Sequence, residues 1–299
     1  MSEYKMHGIY APIATPFTDA LGPIAYDKLA KNMEFWNKSD MEGIVVMGSN
    51  GEFVMLDFEE KKEVITKVCE MAKGKKYVIA GCGCENTRDT IKLCEHSAKA
   101  GAKAALLISP NYYKKAMTDA VNENFYRAVA DKSPLPVVLY NMPGNTGVNL
   151  SAAFIAKMAQ HKNIIGVKDS GGNIVQIAEI LRDVPRDFAV FAGSASFLLA
   201  TLVLGGVGGT LALANIFPNE CAKVQALFDA GKIKEAADLQ KKLLASNNAV
   251  TARWGIAGLK AAMELRGLEG GAPRSPLLPL KDEEKAALKG ILDEVIKNQ

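Results

Sequence analysis

The chain has 299 residues, a formal net charge of +3, 48% hydrophobic and 23% charged residues. That balance belongs to ordinary globular proteins with length for a large core, and it excludes collagen-like, coiled-coil and disordered classes. So small a charge gives no reason to expect nucleic acid or a membrane as partner, and no apolar run reaches the ~18 residues of a transmembrane helix.

Residues 1–10 carry Glu3, Lys5 and His7 without an apolar stretch, so no signal peptide is expected. Apolar runs rich in Val and Ile then recur, at 9–17, 43–48, 77–83, 104–110, 136–143, 164–170, 188–194 and 208–215. Continuous apolar runs of this length suit parallel strands buried on both faces. Helical periods lie between them. The segment 57–73 opens with Asp57 and Glu60 at capping-box spacing and places Val64, Ile65, Val68 and Met71 on one face. Asn86 caps a stretch through Ala100 that Gly101 ends, and Asn149 or Ser151 starts another that runs to His161. The five cysteines, 69, 82, 84, 94 and 221, are odd in number and read as reduced thiols of a cytoplasmic protein. Cys82 and Cys84 read as small residues near a strand end, because His7, His96 and His161 give no zinc-ligand spacing beside them.

Strands alternating with helices predict an α/β chain folded as a closed (β/α)8 TIM barrel. An open doubly wound sheet is the alternative, but no G-x-G-x-x-G or P-loop follows the first run. After Asn215 the pattern is helical, at 217–230, 232–246, 253–266 and 281–297, with a Gly/Pro-rich break at 267–279. The expected division is a barrel catalytic domain, 1–216, and a C-terminal helical appendage, 217–299.

In such barrels the active site sits at the C-terminal ends of the strands. Those ends offer G-S-N-G-E at 48–52, Tyr112 and Tyr113, the segment Tyr140 to Pro143, Lys168 to Ser170, and Gly193 with Ser194. Lys168 is the only lysine inside any of the apolar runs. A lysine in a barrel core is costly unless paired or neutral, and a neutral amine attacks carbonyls. Pointing outward, or pairing with Asp169, is the alternative; the pairing is awkward because strand neighbours face opposite ways. Tyr140 stands at the same height on the adjacent strand and can exchange a proton, although a tyrosine there can simply line the core. The 48–52 turn can aim backbone N–H groups at an anion, and Ser49 adds a hydroxyl. Tyr112 and Tyr113 read equally well as loop aromatics.

GSNGE at 48–52, NYY at 111–113, YNMPGNTG at 140–147, GVKDS at 166–170 and GSASFLLATLVLGGVGG at 193–209 follow one another in a known order. The chain resembles, over essentially its whole length, the dihydrodipicolinate synthase / N-acetylneuraminate lyase family of pyruvate-dependent class I aldolases and lyases. The resemblance implies that Lys168 forms an imine with pyruvate or another 2-oxo acid and that Tyr140 is the general acid/base. It implies that Ser49 and a tyrosine of the NYY loop, Tyr113 or else Tyr112, complete a proton relay, with that tyrosine donated across a dimer interface. Backbone groups of Ser49 and Asn50 would hold the substrate carboxylate, and the assembly would be a homotetramer, a dimer of dimers. No metal or cofactor is expected.

The chain departs from the synthases at Asn145, where they carry an arginine that grips the carboxylate of aspartate semialdehyde, and at Ser49-Asn50, where they usually have two threonines. GSNGEF, P-x-N-T-G, VKDSGG and the stretch 249–263 look most like 4-hydroxy-2-oxoglutarate aldolase and related 2-oxo-3-deoxy sugar-acid aldolases. The expectation is therefore cleavage of a 4-hydroxy-2-oxo acid to pyruvate and an aldehyde. The candidate substrate-binding set is Ser49, Asn50, Asn145, Ser170, Gly193 and Thr210. The alternatives are dihydrodipicolinate synthase, with Lys114 or Lys115 replacing the arginine; a 2-oxo-3-deoxy sugar-acid dehydratase; and a non-catalytic 2-oxo-acid sensor.

Overall fold

Each apolar run contains a strand: β1 (Gly8–Pro12), β2 (Gly43–Val46), β3 (Tyr77–Gly81), β4 (Ala104–Ile108), β5 (Val137–Asn141), β6 (Ile164–Asp169), β7 (Ala189–Ala192) and β8 (Gly208–Thr210). They pair in chain order, all parallel, and β8 pairs with β1 to close the barrel. The structure is a computed structural model that describes residues 6–297; the first five residues of the stretch read for a leader lie outside it.

The helices are α1 (Tyr26–Asn37), α2 (Phe58–Ala72), α3 (Thr87–Ala100), α4 (Asp119–Lys132), α5 (Pro143–Thr146), α6 (Ala152–Met158), α7 (Ile174–Asp183), α8 (Leu198–Val203), α9 (Pro218–Asp229), α10 (Ile233–Asn248), α11 (Gly255–Leu265) and α12 (Asp282–Ile296). Start signals act as the sequence reads them. Asp57 and Glu60 form the reciprocal capping box of α2, and Asn86 accepts from the Asp89 N–H to cap α3. Gly101 ends α3 at φ 101°, where a side chain would be strained. Of the two candidates for α6, Ser151 is the cap. No described helix is long and apolar enough to cross a membrane.

Alternation along the strands sorts side chains into two cores. Tyr10, Val45, Ile79, Leu106, Val138 and Phe191 fill the barrel interior. Ile44, Val46, Leu107, Leu139, Val167 and Val190 face outward against the helices. Burying each such aliphatic side chain contributes roughly 1.5–3 kcal/mol before entropy is counted. All five cysteines are free, with Cys82, Cys94 and Cys221 buried and Cys69 and Cys84 half-buried.

The C-terminal helices differ from expectation at one point. Instead of a gap at 247–252, α10 runs through a five-residue π-helical segment (Ala249–Arg253) almost into α11. This segment closes over the C-terminal ends of the strands, where Asn248, Val250, Thr251 and Ala252 face the barrel mouth.

Candidate active site

A cavity of ≈ 790 Å³ opens at that mouth. Ser49, Asn50, Tyr140, Asn145, Lys168, Ser170 and Gly193 all line it. The register explains the central pair: Tyr140 on β5 lies directly opposite Lys168 on β6. Paired residues on adjacent strands point the same way, here into the barrel. Lys168 is 3% exposed, and its Nζ stands 4.1 Å from the centroid of the Tyr140 ring. Asp169, the next residue, faces the opposite way, where it accepts hydrogen bonds from Asn141 Nδ2 (2.8 Å) and the Gly171 N–H (2.9 Å). The ion pair with Asp169 that the sequence left open is therefore not made.

Tyr140 Oη and Ser49 Oγ are 3.2 Å apart. Burial by itself pushes the Tyr140 phenol up; the Lys168 ammonium, with hydrogen bonds from Ser49, Lys168 and Ser170, outweighs that and brings it below its usual value. A buried amine beside an acidified phenol can form an imine with a carbonyl and pass a proton.

The turn that carries Ser49 and Asn50 is a 3-10 turn, Ser49–Gly51, bracketed by Met47 (φ 64°) and Glu52 (φ 56°). Left-handed angles at non-glycine residues cost about 1–3 kcal/mol each and persist where their surroundings hold them. Met47 is buried, and Thr15 Oγ1 donates to the Gly51 carbonyl at 2.9 Å. The Glu52 carboxylate is anchored to Lys260 Nζ of α11 at 2.5 Å, both side chains being 1% exposed. The second Glu52 oxygen accepts the Arg274 N–H at 2.8 Å, and Lys260 also donates to the Ala272 carbonyl at 2.9 Å. Burial pushes the Lys260 ammonium down against the pull of Glu52. The sequence reading missed this clamp; a lone lysine inside the apolar helix 255–265 is its visible trace.

Gly193 is required by close approach: a Cβ there would overlap Ser170 Oγ and stand 2.6 Å from the Asp169 carbonyl oxygen. Two expected residues do not reach the cavity. Thr210 is buried in the barrel wall opposite Tyr10, and Ala212, in the 3-10 turn that follows β8, lines the cavity instead. Tyr113 is 72% exposed and Tyr112 79% exposed, edge-to-face with ring centroids 5.0 Å apart. Asn111, at the start of their loop, lines the cavity, and the Glu85 carboxylate accepts the N–H groups of Asn111 and Tyr112, each at 3.0 Å. The C-terminal wall, Val250 and Thr251 included, was not anticipated as part of the site. Among the described residues no group of three or more His, Cys, Asp or Glu could hold a metal ion.

A lysine buried beside a tyrosine at the C-terminal mouth of a TIM barrel stands where barrel enzymes hold their active sites. The particular family follows from comparison. The profile of the dihydrodipicolinate synthetase family matches residues 5–295. A probable mitochondrial 4-hydroxy-2-oxoglutarate aldolase of Emericella nidulans is 36% identical over 97% of this chain and 94% of its own. A 4-hydroxy-tetrahydrodipicolinate synthase of Archaeoglobus fulgidus is 33% identical over 95% and 96%. The solved structure of YagE, an E. coli K12 prophage protein of the dihydrodipicolinic acid synthase family in complex with pyruvate, superposes with a TM-score of 0.92 at 29% identity, covering 97% of this chain and 99% of that one. The chain belongs to the dihydrodipicolinate synthetase family and is a pyruvate-dependent carbon–carbon lyase.

Proposed function

We propose that the protein is a Schiff-base aldolase that cleaves a 4-hydroxy-2-oxo acid to pyruvate and an aldehyde, and condenses them in reverse. The observation that carries the reading is the buried Lys168 amine against Tyr140, whose hydroxyl meets Ser49. The Lys168 ammonium gives a proton to the Tyr140 phenolate, the neutral amine so formed attacks the 2-oxo carbon, and Tyr140 returns that proton to the hydroxyl that leaves as water, which yields a protonated imine beside the phenolate. That cation draws in the electrons of the C3–C4 bond as Tyr140, in its phenolate form, takes the proton of the 4-hydroxyl. The aldehyde departs, the enamine is protonated at C3, and water releases pyruvate and the free amine. The iminium keeps a positive charge beside Tyr140 until the C3–C4 electrons neutralise it, so the attraction that acidifies the phenol lasts up to bond cleavage and fades as the neutral enamine forms and Tyr140 gains its proton. The turn at Ser49 and Asn50 supplies donors for the carboxylate next to the 2-oxo group, and Tyr113 completes the relay from a second copy of the chain. The family resemblance supports a homotetramer, and five free thiols suit a cytoplasmic setting.

The test is borohydride reduction with pyruvate, followed by peptide mapping. A single adduct on Lys168 is expected; an adduct on another lysine, or none, overturns the reading. A sensor without the imine would likewise give none.

The synthase activity printed for the Archaeoglobus relative is the second reading. Asn145 weighs against it, because a neutral amide lacks the charge and the bidentate fork of an arginine. Losing a charged hydrogen bond of ~1.5–3 kcal/mol corresponds to about 10- to 150-fold in kcat/KM. Asn145→Arg should raise condensation of pyruvate with aspartate semialdehyde. A wild-type enzyme that already prefers that reaction over every 4-hydroxy-2-oxo acid would establish the synthase.

A further inference from the structure

β5 and β6 end one residue past Tyr140 and Lys168, at Asn141 and Asp169, which pair in register. Alternation turns these two side chains to the outer face, behind the reacting pair. Asn141 is fully buried and Asp169 is 1% exposed. The outward positions two residues earlier, Leu139 and Val167, are apolar. Among the described residues no Lys, Arg or His pairs with the Asp169 carboxylate; its partners are neutral donors. A buried charge without a counter-ion is costly, so packing alone would favour another apolar pair here.

The carboxylate collects donors from three segments. Oδ2 accepts Asn141 Nδ2 of β5 at 2.8 Å and Gln176 Nε2 of α7 at 3.3 Å, and Oδ1 accepts the Gly171 N–H at 2.9 Å. Asn141 Oδ1 in turn accepts the Leu150 N–H at 2.9 Å. The main chain adds to the link: the Ser170 N–H donates to the Asn141 carbonyl at 2.8 Å, and the Gly193 N–H to the Asp169 carbonyl at 2.7 Å. Ser170, Gly171 and Gly193 all line the cavity. Three N–H groups converge on two side-chain oxygens. An ionised carboxylate satisfies them all, whereas an amide would turn its own NH2 against one of them.

We propose that Asp169 and Asn141 are positioning residues of the reaction: their hydrogen bond fastens β5 to β6 behind the site and holds the Lys168 amine against Tyr140. Beyond this bond the two strands part, one into α5 and the other toward α7. Releasing it would loosen the 4.1 Å approach of Lys168 Nζ to the Tyr140 ring. The acidity of the phenol would weaken too, because it depends on that cation. The inference rests on the imine reading above and concerns what keeps its two groups in place.

The experiment follows deuterium uptake at C3 of pyruvate in D2O, which requires no aldehyde. The phenolate takes a C3 proton from the protonated imine, the electron pair neutralises the iminium, and a deuteron returns to C3. Borohydride trapping and urea unfolding accompany it. The proteins are wild type, Asp169→Asn, Asn141→Asp, the double variant, Gln176→Ala and Asn163→Ala. Asp169→Asn sets donor against donor, and Asn141→Asp sets carboxylate against carboxylate. Each should slow exchange by about 10- to 100-fold, the scale of a ~1 Å misplacement, and move its ascending pH limb upward. In the double variant the bond is reversed: an amide on β6 donates to a carboxylate on β5 and still accepts the Gly171 N–H. Exchange should return to within about fivefold of wild type, and the limb to its place. Gln176→Ala removes the longest of the three bonds and should slow exchange by about two- to fivefold. Asn163→Ala is the control, because Asn163 Nδ2 ties the Ala130, Ser133 and Leu135 carbonyls at the opposite end of the same strands. It should lower stability and leave the limb where it is. A double variant no faster than its parents overturns the inference. So does an Asp169→Asn protein that loses stability but keeps its exchange rate and limb, or a limb that moves equally in Asn163→Ala. If the single variants do not fold, exchange lost in the folded double variant, or unchanged in Gln176→Ala, overturns it. A wild type that neither exchanges deuterium nor traps pyruvate removes the imine reading instead.

Discussion

Lys168 and Tyr140 depend on each other. The amine lies in an apolar barrel without a carboxylate partner, and the phenol is acidified because that amine is there. Lys168→Arg should therefore lose turnover by at least ~10³ and lose the borohydride adduct, since arginine stays protonated and cannot act as the amine. Retention of the adduct in that variant would place the imine elsewhere. Tyr140→Phe should keep the fold and lower kcat by roughly 10²–10⁴, the span of general acid–base catalysis. The pH profile carries a sign. A phenolate base works above its own pKa, so kcat should climb with pH and level off below the ordinary tyrosine value. Ser49 contributes to the depression through its hydrogen bond, so Ser49→Ala should move the ascending limb to higher pH. A limb that stays in place in Ser49→Ala would show that the hydroxyl does not bear on the phenol.

Elements meet at the 48–52 turn, where two left-handed residues hold a shape that the local sequence alone does not favour. The clamp comes from α11, more than two hundred residues later, through Lys260 and Glu52. Lys260→Met leaves a buried carboxylate with only the Arg274 N–H, and breaking such a pair costs about 3–5 kcal/mol. Urea unfolding should show that loss, and Glu52→Gln added to Lys260→Met should recover part of it. A double variant no more stable than the single one would mean that the buried charge is not the source of the cost. This contact also marks where reading the sequence stops. Strand existence was legible, because eight apolar runs at βα spacing have few other solutions. Strand ends were not: the first run extends to Phe17, whereas β1 ends at Pro12. Apolarity reports burial, and Ile13, Ala14 and Phe17 are buried beyond the ladder. Asn215 satisfies that backbone, accepting from the Ala14 N–H at 3.1 Å and donating to the Pro12 carbonyl at 2.9 Å. That Lys168, Tyr140 and Ser49 stand together at one barrel mouth was legible, since each lies at the end of a run. Glu52 with Lys260, and the π-helical wall at Ala249–Arg253, were not, because their meaning lies in contacts between distant segments.

At the scale of the whole molecule, the described chain holds most of the expected relay but keeps Tyr112 and Tyr113 outside its own cavity. Two large aromatic side chains this exposed, on a loop whose amides Glu85 fixes, suit a surface that meets another copy. The proposed dimer makes a demand that a single chain does not. A site built from Lys168 of one subunit needs Tyr113 of its partner, so two crippled variants can repair each other. In a mixed dimer of Lys168→Arg and Tyr113→Phe, the subunit with the intact lysine receives the intact tyrosine, and its partner site is dead. Random mixing makes half the dimers mixed, each with one working site of two, so about one quarter of wild-type activity should return. The parents assayed separately should stay near background, with Tyr113→Phe the more active of them. The same mixture made with Tyr112→Phe tests which tyrosine serves, because only the variant of the donating residue is repaired. Mixing that yields no more than the sum of the parents would place the relay within one chain. The loop would then have to fold inward over Asn145 to bring a tyrosine to Ser49.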